Sequence, residues 1–300
     1  MSYLSKEILS EFYSRKFSFE PLLKVIDIKG FEKREFGFVV WENDEEHFVR
    51  NLSFRTPAEL KIFMIQNGVK SAYIGAMYDP PPTPKISITR LKWLGRELVF
   101  DIDLTDYDDI RTCGKGKEHV CPKCWPLVID AALLIDEILR EDFGFEKITW
   151  VFSGRRGYHA WVSDKIALEF DEEIRDAIAT YISPDKPEEE TLPLSYQKRM
   201  IKVLLKQDLG SFLKLDKRMI KKIWSDVIKR IPRIDKKVTM DTVRLLRLPG
   251  SIHGDTGKLV MILKDFQNFY PDEAPTIWEI LGLEKHEYMK TRQRKNGQSI

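Results

Sequence analysis

The sequence is poor in cysteine, with three in 300 residues. That number builds no disulfide framework, so a reducing cytosol is the expected compartment. Long apolar runs are also missing. The longest uninterrupted ones, Ala131–Ile135 and Leu259–Leu263, have five residues each, whereas a membrane-spanning helix needs about 20. No membrane association is expected. Glu7 and Glu11 fall where a signal peptide would carry its apolar stretch, so export is not expected either. Charge of one sign is scarce on balance, because 49 basic residues face 47 acidic ones for a net +2. That is too little to argue for nucleic acid by itself. What is present is 43% apolar and 11% aromatic residues, a composition that excludes a disordered or collagen-like chain. At about 150 residues per domain the length allows one large domain or two smaller ones.

Local patterns divide the chain. Leu9, Phe12, Tyr13 and Lys16 follow helical spacing, and Phe36 to Trp41 is apolar on both faces, as in a covered strand. Thr56-Pro57-Ala58-Glu59 has the form of a capping box with proline at the first helical position, and Asn67-Gly68 reads as the stop. Ala72–Tyr78 and Glu97–Leu104 read as strands and Pro126–Phe143 as an amphipathic helix. Lys147–Phe152 and Tyr158–Ser163 read as strands joined by a Ser-Gly-Arg-Arg-Gly turn. From Ile166 to Ile231 the signals are mostly helical. Charge is uneven there: residues 165–190 hold nine acids and three bases, and residues 198–237 hold fourteen bases and four acids. After Pro232, glycine- and proline-punctuated segments return, with an apolar strand at Leu259–Leu263. These patterns predict a mixed α/β (α+β) body over residues 1–165 and 232–290, an inserted helical subdomain over 166–231, and a basic tail over 291–300.

Four segments carry residues suited to chemistry. In Val99-Phe100-Asp101-Ile102-Asp103-Leu104, side chains alternate faces, so Asp101 and Asp103 stand side by side opposite Phe100, Ile102 and Leu104. Like charges on one strand face repel. A divalent cation would offset that repulsion, and a solvated acidic edge is the alternative. Cys113, His119, Cys121 and Cys124 place all three cysteines and a histidine within residues 113–124, a donor set for a closed tetrahedral Zn²⁺ site. Three reduced, unrelated cysteines are the alternative. Ser153-Gly154-Arg155-Arg156-Gly157, followed by His159, offers two guanidiniums and a hydroxyl on a glycine-bounded turn, which suits a polyphosphate or is simply an exposed hairpin tip. Arg244 to Gly254 is a second such cluster, with Arg247, Ser251 and His253. Asp235 is an isolated acid that nothing local marks as special.

In order and combination, these segments resemble the small catalytic subunit of archaeal and eukaryotic DNA primases, the archaeo-eukaryotic primase family, over nearly the whole chain. Phe100 to Leu104 is similar to the family's first motif, Ser153 to His159 to its second, and Ile234-Asp235 to its third. Arg244 to His253 is similar to the nucleotide-binding segment that follows. The Cys/His knuckle falls between the first two motifs, where the family carries zinc. The use of His119 points to an archaeal-type chain, since eukaryotic members tend to use cysteines throughout.

The resemblance implies an RRM-like mixed-sheet catalytic core with a zinc knuckle and an inserted helical subdomain. It implies template-directed synthesis of short primers from nucleoside triphosphates on single-stranded DNA, for the initiation of replication. Asp101, Asp103 and Asp235 would hold two Mg²⁺ or Mn²⁺ ions. Ser153, Arg155, Arg156, His159, Arg247, Ser251 and His253 would hold the triphosphate, and Cys113, His119, Cys121 and Cys124 one structural Zn²⁺. A primase large subunit would be the protein partner, in a cytoplasmic, DNA-associated setting.

Three other readings compete. A repair-type primase-polymerase of the same superfamily would extend existing ends with the same residues. A metal-dependent nuclease or phosphatase explains the acids but leaves two arginine clusters without use. A non-catalytic zinc module would set an acidic strand against DNA.

Overall fold

A computed structural model describes residues 4–43, 45–185, 187, 188 and 192–283. In chain order the elements are α1 (Lys6–Arg15), α2 (Glu20–Leu23), β1 (Arg34–Glu42), β2 (Glu45–Leu52), α3 (Pro57–Asn67), β3 (Ser71–Asp79), β4 (Lys92–Gly95), β5 (Leu98–Asp103), α4 (Pro126–Glu141), β6 (Ile148–Phe152), β7 (Gly157–Val162), α5 (Lys165–Leu168), α6 (Glu172–Ile182), α7 (Leu194–Leu205), α8 (Leu209–Leu213), α9 (Lys217–Val227), α10 (Lys236–Met240), β8 (Leu246–Arg247), β9 (Met261–Ile262) and α11 (Ile277–Leu281). The class is α+β, as expected. One sheet runs β2-β1-β3-β4 with β8 also on β3, and the other runs β5-β7-β6-β9. Every pairing in both sheets is antiparallel.

Local signals act where the sequence places them. Thr56 caps α3 by accepting from the Glu59 N–H at 3.2 Å, and Gly68 ends the helix in the left-handed region at φ 51°. The Glu59 carboxylate returns to the Arg55 N–H at 2.9 Å, one residue earlier than a reciprocal capping box would have it. The strands β2, β4 and β8 carry no clear period-2 signal. β2 is largely exposed, and β8 has two residues; pairing with β1 and β3 makes them strands, not their own patterning.

The second sheet is buried on both faces. Leu98, Phe100, Ile102 and Leu104 join α4 in one core, together with buried residues of the helical stretch such as Ile178, Tyr196, Met200 and Trp224. Val99, Val151 and Trp161, on the opposite face, pack with α1, α3 and the first sheet in another core. Residues 166–231, expected as an inserted helical subdomain, contain only helices as regular elements among the described residues. The basic tail expected over 291–300 lies outside the described residues. Among the described residues no helix is long and apolar enough to cross a membrane.

Candidate active site

The period-2 alternation of β5 puts Asp101 and Asp103 on the face turned toward the first sheet, at the end where β5 leaves the core. Asp235 arrives from far along the chain. It is the N-cap of α10, its carboxylate accepting from the Lys237 N–H at 3.0 Å, while its own N–H donates to the Asp101 carbonyl at 3.1 Å. All three carboxylates line one cleft of about 660 Å³, together with Asp106, Ile228, Ile231 and Arg233. Burial, then the charges of Asp103, Asp235 and Asp106, push the Asp101 carboxyl up to about 7. Partial desolvation, with Asp103 and Asp235, pushes Asp106 up to about 6. Carboxylates crowded this way call for a counter-charge, and an all-oxygen donor set suits a hard cation such as Mg²⁺ or Mn²⁺. The chain's residues therefore fit the divalent ions expected there.

Arg156 comes closest to this cluster. Its Nε donates to Asp103 Oδ1 at 2.7 Å, and the same oxygen accepts from the Thr105 N–H at 2.9 Å and hydroxyl at 2.8 Å. Two backbone approaches bring the Ser153–Gly157 turn in. A Cβ on Gly157 would lie 2.0 Å from the Ile102 carbonyl oxygen, and a Cβ on Gly154, at φ 93°, would lie 2.5 Å from His253 Cβ. The turn therefore docks against the 249–257 loop, where the Thr256 hydroxyl donates to the Gly154 carbonyl at 2.7 Å. Arg155 reaches outward to Glu118 and to Asp255.

His159 pairs across the sheet with Asp101, its Nε2 3.5 Å from Asp101 Oδ1. Burial, then Arg247, hold its ring down to about 4. Burial, then Arg247 and Arg155, hold His253 down to about 2. Both rings are thus neutral near pH 7 and offer hydrogen bonds without charge; the cationic character of the bank rests on its arginines. Arg247 lies on β8, opposite Tyr73 of β3, with its guanidinium 5.4 Å from that ring's centroid. Ser251 is buried, and its hydroxyl donates to the Leu248 carbonyl at 2.7 Å. That bond shapes the loop. Ser153 opens the hairpin, its N–H donating to the Gly157 carbonyl at 3.0 Å.

Cys113, His119, Cys121 and Cys124 also come together. Cys113 and Cys124 are joined as a disulfide, and Cys113 Sγ is 2.8 Å from Cys121 Sγ. His119 Nε2 is buried and has no hydrogen-bond partner among the described residues. Cys113, His119 and Cys121 are, among the described residues, the one group of three such side chains whose donor atoms all lie within 4.8 Å of one another; the three carboxylates stand wider apart. A disulfide satisfies two sulfurs and leaves Cys121 and His119 Nε2, whereas one tetrahedral ion satisfies all four donors. The set therefore fits Zn²⁺. Gly114, at φ 141°, admits the His119 ring, which lies 2.6 Å from where a Cβ would be. Asp108 anchors the loop, accepting from Arg111 at 2.6 Å and from the Gly116 N–H at 2.8 Å.

Several site residues carried no local signal of their own role. Asp106 belongs with Asp108 and Asp109 to the acidic loop that continues β5, which by itself marks no role, and Arg244, inside a noted cluster, stands 3.6 Å from Asp235. Tyr73 is an aromatic in an apolar strand, and only the β3–β8 register reveals what it faces.

The fold has a counterpart among solved structures. It aligns with a solved structure described as the polymerase domain from Mycobacterium tuberculosis ligase D in complex with DNA, over 98% of this chain and 90% of that one, with a TM-score of 0.51 and 13% identity. The model of the DNA primase small subunit family matches residues 100–264, and the chain belongs to that family. It is 38% identical over 186 residues to the DNA primase small subunit of Schizosaccharomyces pombe, covering 60% of this chain and 40% of that protein. It is 30% identical over 265 residues to the DNA primase small subunit PriS of Archaeoglobus fulgidus, covering 81% and 76%. The chain thus spans about two-fifths of the fission-yeast relative and most of the archaeal one.

Proposed function

We propose that the chain is a nucleotidyltransferase that makes short primers on single-stranded DNA from nucleoside triphosphates, for the initiation of replication. The observation that carries this reading is the meeting of two opposite charge clusters. Three carboxylates from β5 and the start of α10 line one cleft; Arg156 pairs with Asp103 beside it, and Arg247, Arg155 and Arg156 all act on the neighbouring His253 ring.

Asp101, Asp103 and Asp235 would hold two Mg²⁺ or Mn²⁺ ions, which when bound lower the pKa of an attacking hydroxyl and offset charge on the leaving pyrophosphate. The remaining work belongs to the chain's own groups. The arginines bind and orient the triphosphate through paired N–H donors, and the neutral rings of His159 and His253 donate or accept single hydrogen bonds without adding charge. Positioning and electrostatics supply most of the rate in phosphoryl transfer, and the chain's groups for both come from β5, the turn between β6 and β7, the start of α10 and the loop after β8. A nuclease or phosphatase would use the carboxylates but has no need of a basic bank matched to a triphosphate. Extension of existing ends, as in a repair polymerase, uses the same groups.

The Cys/His cluster is proposed to hold one structural Zn²⁺. The template would lie along the basic face of α9, where exposed Lys217, Arg218, Lys221 and Lys222 repeat at helical spacing and the following turn enters the cleft through Ile228. Family membership supports a primase large subunit as partner, within the cell.

The deciding experiment is primer synthesis on a bare single-stranded template with Mg²⁺ or Mn²⁺, comparing ribo- and deoxyribonucleotides. Template-dependent release of pyrophosphate with new chains is the expected result. Strand cleavage or phosphate release without synthesis would overturn the reading.

A further inference from the structure

Asp235 is the one carboxylate of the three that does not lie in a strand, although its N–H donates to the Asp101 carbonyl of β5 at 3.1 Å. The segment leading to it, 231–235, has no regular structure, so one backbone bond at its end is not enough to fix its path to within the fraction of an ångström that a metal ligand requires. Tyr107 stands at that point. It closes the short 3₁₀ turn Leu104–Tyr107, which follows Asp103 directly, and its side chain is fully buried. Its hydroxyl accepts from the Arg233 N–H at 2.9 Å and donates to the Ile231 carbonyl at 3.3 Å. One oxygen thus clasps the backbone on both sides of Pro232. The Arg233 guanidinium folds back over the Tyr107 ring, 5.1 Å from its centroid, and donates to the Asp106 carbonyl at 2.8 Å. Beyond Asp235 the chain is held at the other end: Arg96 donates to the Asp241 carbonyl at 2.5 Å and to the Val238 carbonyl at 3.3 Å, where α10 ends.

We propose that Tyr107 is a positioning residue for the metal site, its hydroxyl setting the approach of Asp235 to Asp101 and Asp103. The inference rests on the reading of these three acids as metal ligands. Tyr107 touches no reacting atom. It couples the turn that follows Asp103 to the loop that precedes Asp235, so that two ligands from distant parts of the chain share one brace. Removing the hydroxyl leaves the ring, and therefore the core packing, in place. It frees the Arg233 N–H and the Ile231 carbonyl to take other partners and lets the 231–235 segment drift.

The test uses Mn²⁺ alone as the probe, titrated into the full chain and followed by the electron paramagnetic resonance of the free ion. Wild type, Tyr107→Phe, Asp235→Asn and the double variant are compared, with far-UV circular dichroism as the control for fold. Tyr107→Phe should weaken Mn²⁺ binding about 10-fold, as loss of groups that orient metal ligands does. In the Asp235→Asn background the same change should have little further effect, because the ligand being positioned is already gone. Mn²⁺-induced thermal stabilisation should fall in parallel. If Asp235→Asn weakens binding and Tyr107→Phe does not, the positioning role is overturned while the metal site stands. Full additivity in the double variant would also overturn it, since Tyr107 would then act elsewhere. Should Asp235→Asn itself leave Mn²⁺ affinity unchanged, the ligand assignment fails and this inference goes with it.

Discussion

Arg156 Nε lies 2.7 Å from Asp103 Oδ1. A guanidinium from the second motif is therefore paired with a carboxylate from the first. Without ligands the two neutralise each other, and a cation on Asp103 together with a triphosphate on Arg156 would exchange that one contact for two. Neutralising Asp103 should thus remove a metal ligand and also loosen Arg156. Asp103→Asn is expected to lower turnover by roughly 100-fold or more, the scale of losing a preorganised electrostatic group. Arg156→Ala should mainly raise the KM for nucleotide. Steady-state primer synthesis separates the two, and wild-type turnover in Asp103→Asn would remove Asp103 from the site.

The raised Asp101 carboxyl has a consequence for stability. In protein dialysed free of Mg²⁺ and Mn²⁺, the folded state holds a proton on Asp101 up to about pH 7, whereas an unfolded aspartate releases it near pH 4. Between these values the folded state binds more protons, so this group's contribution falls as pH rises. Asp101→Asn removes the group, and its stability relative to wild type should grow from pH 4 to pH 7 by up to about 4 kcal/mol, three pH units at about 1.36 kcal/mol each. Urea unfolding of both proteins at each pH measures it. A difference that is flat with pH would show that Asp101 titrates normally.

The Cys/His cluster should carry about one zinc per chain, as a closed four-ligand site requires. Cys121→Ser should release the metal and lower the melting temperature, with catalytic Mn²⁺ binding retained. Elemental analysis with thiol titration before and after zinc release checks this. Native protein with no zinc and a stable Cys113–Cys124 disulfide would sink the zinc assignment.

Because His253 is held down to about 2, its ring adds no charge to the triphosphate site of the free protein near neutrality. The ratio of nucleotide affinities between wild type and His253→Gln should be flat from about pH 6 to 8, where an ordinary histidine would titrate. Arg247→Ala, by contrast, should weaken nucleotide binding about 10-fold or more throughout, as expected for a lost charged hydrogen bond. An affinity ratio that climbs toward pH 6 would mean that the imidazole charges in the free protein after all.

Reversal of Lys217, Arg218, Lys221 and Lys222 to Glu on α9 should weaken single-stranded DNA binding and flatten its dependence on salt, because each neutralised phosphate contributes roughly 0.7 to the slope on single strands. Fluorescence anisotropy across a salt series measures both quantities. Unchanged affinity and slope would make this face an ordinary solvated one.

Much of the site was legible because its parts are local. The alternation Phe100-Asp101-Ile102-Asp103 assigns faces by the period of a strand alone, and the Ser-Gly-Arg-Arg-Gly turn announces itself through glycine. The spacing of Cys113, His119, Cys121 and Cys124 is likewise a short-range pattern that needs no fold to be read. The tertiary structure decided what depends on distant segments meeting. Nothing near Asp235 marks it, and it joins Asp101 only because α10 starts where the β5 carbonyl accepts its N–H. The Arg156–Asp103 pair, the Arg247–Tyr73 contact and the neutrality of His159 and His253 arise from strand register and burial. A charge state follows from how much water and which neighbours a group keeps, and those are properties of the packed chain rather than of any stretch of it.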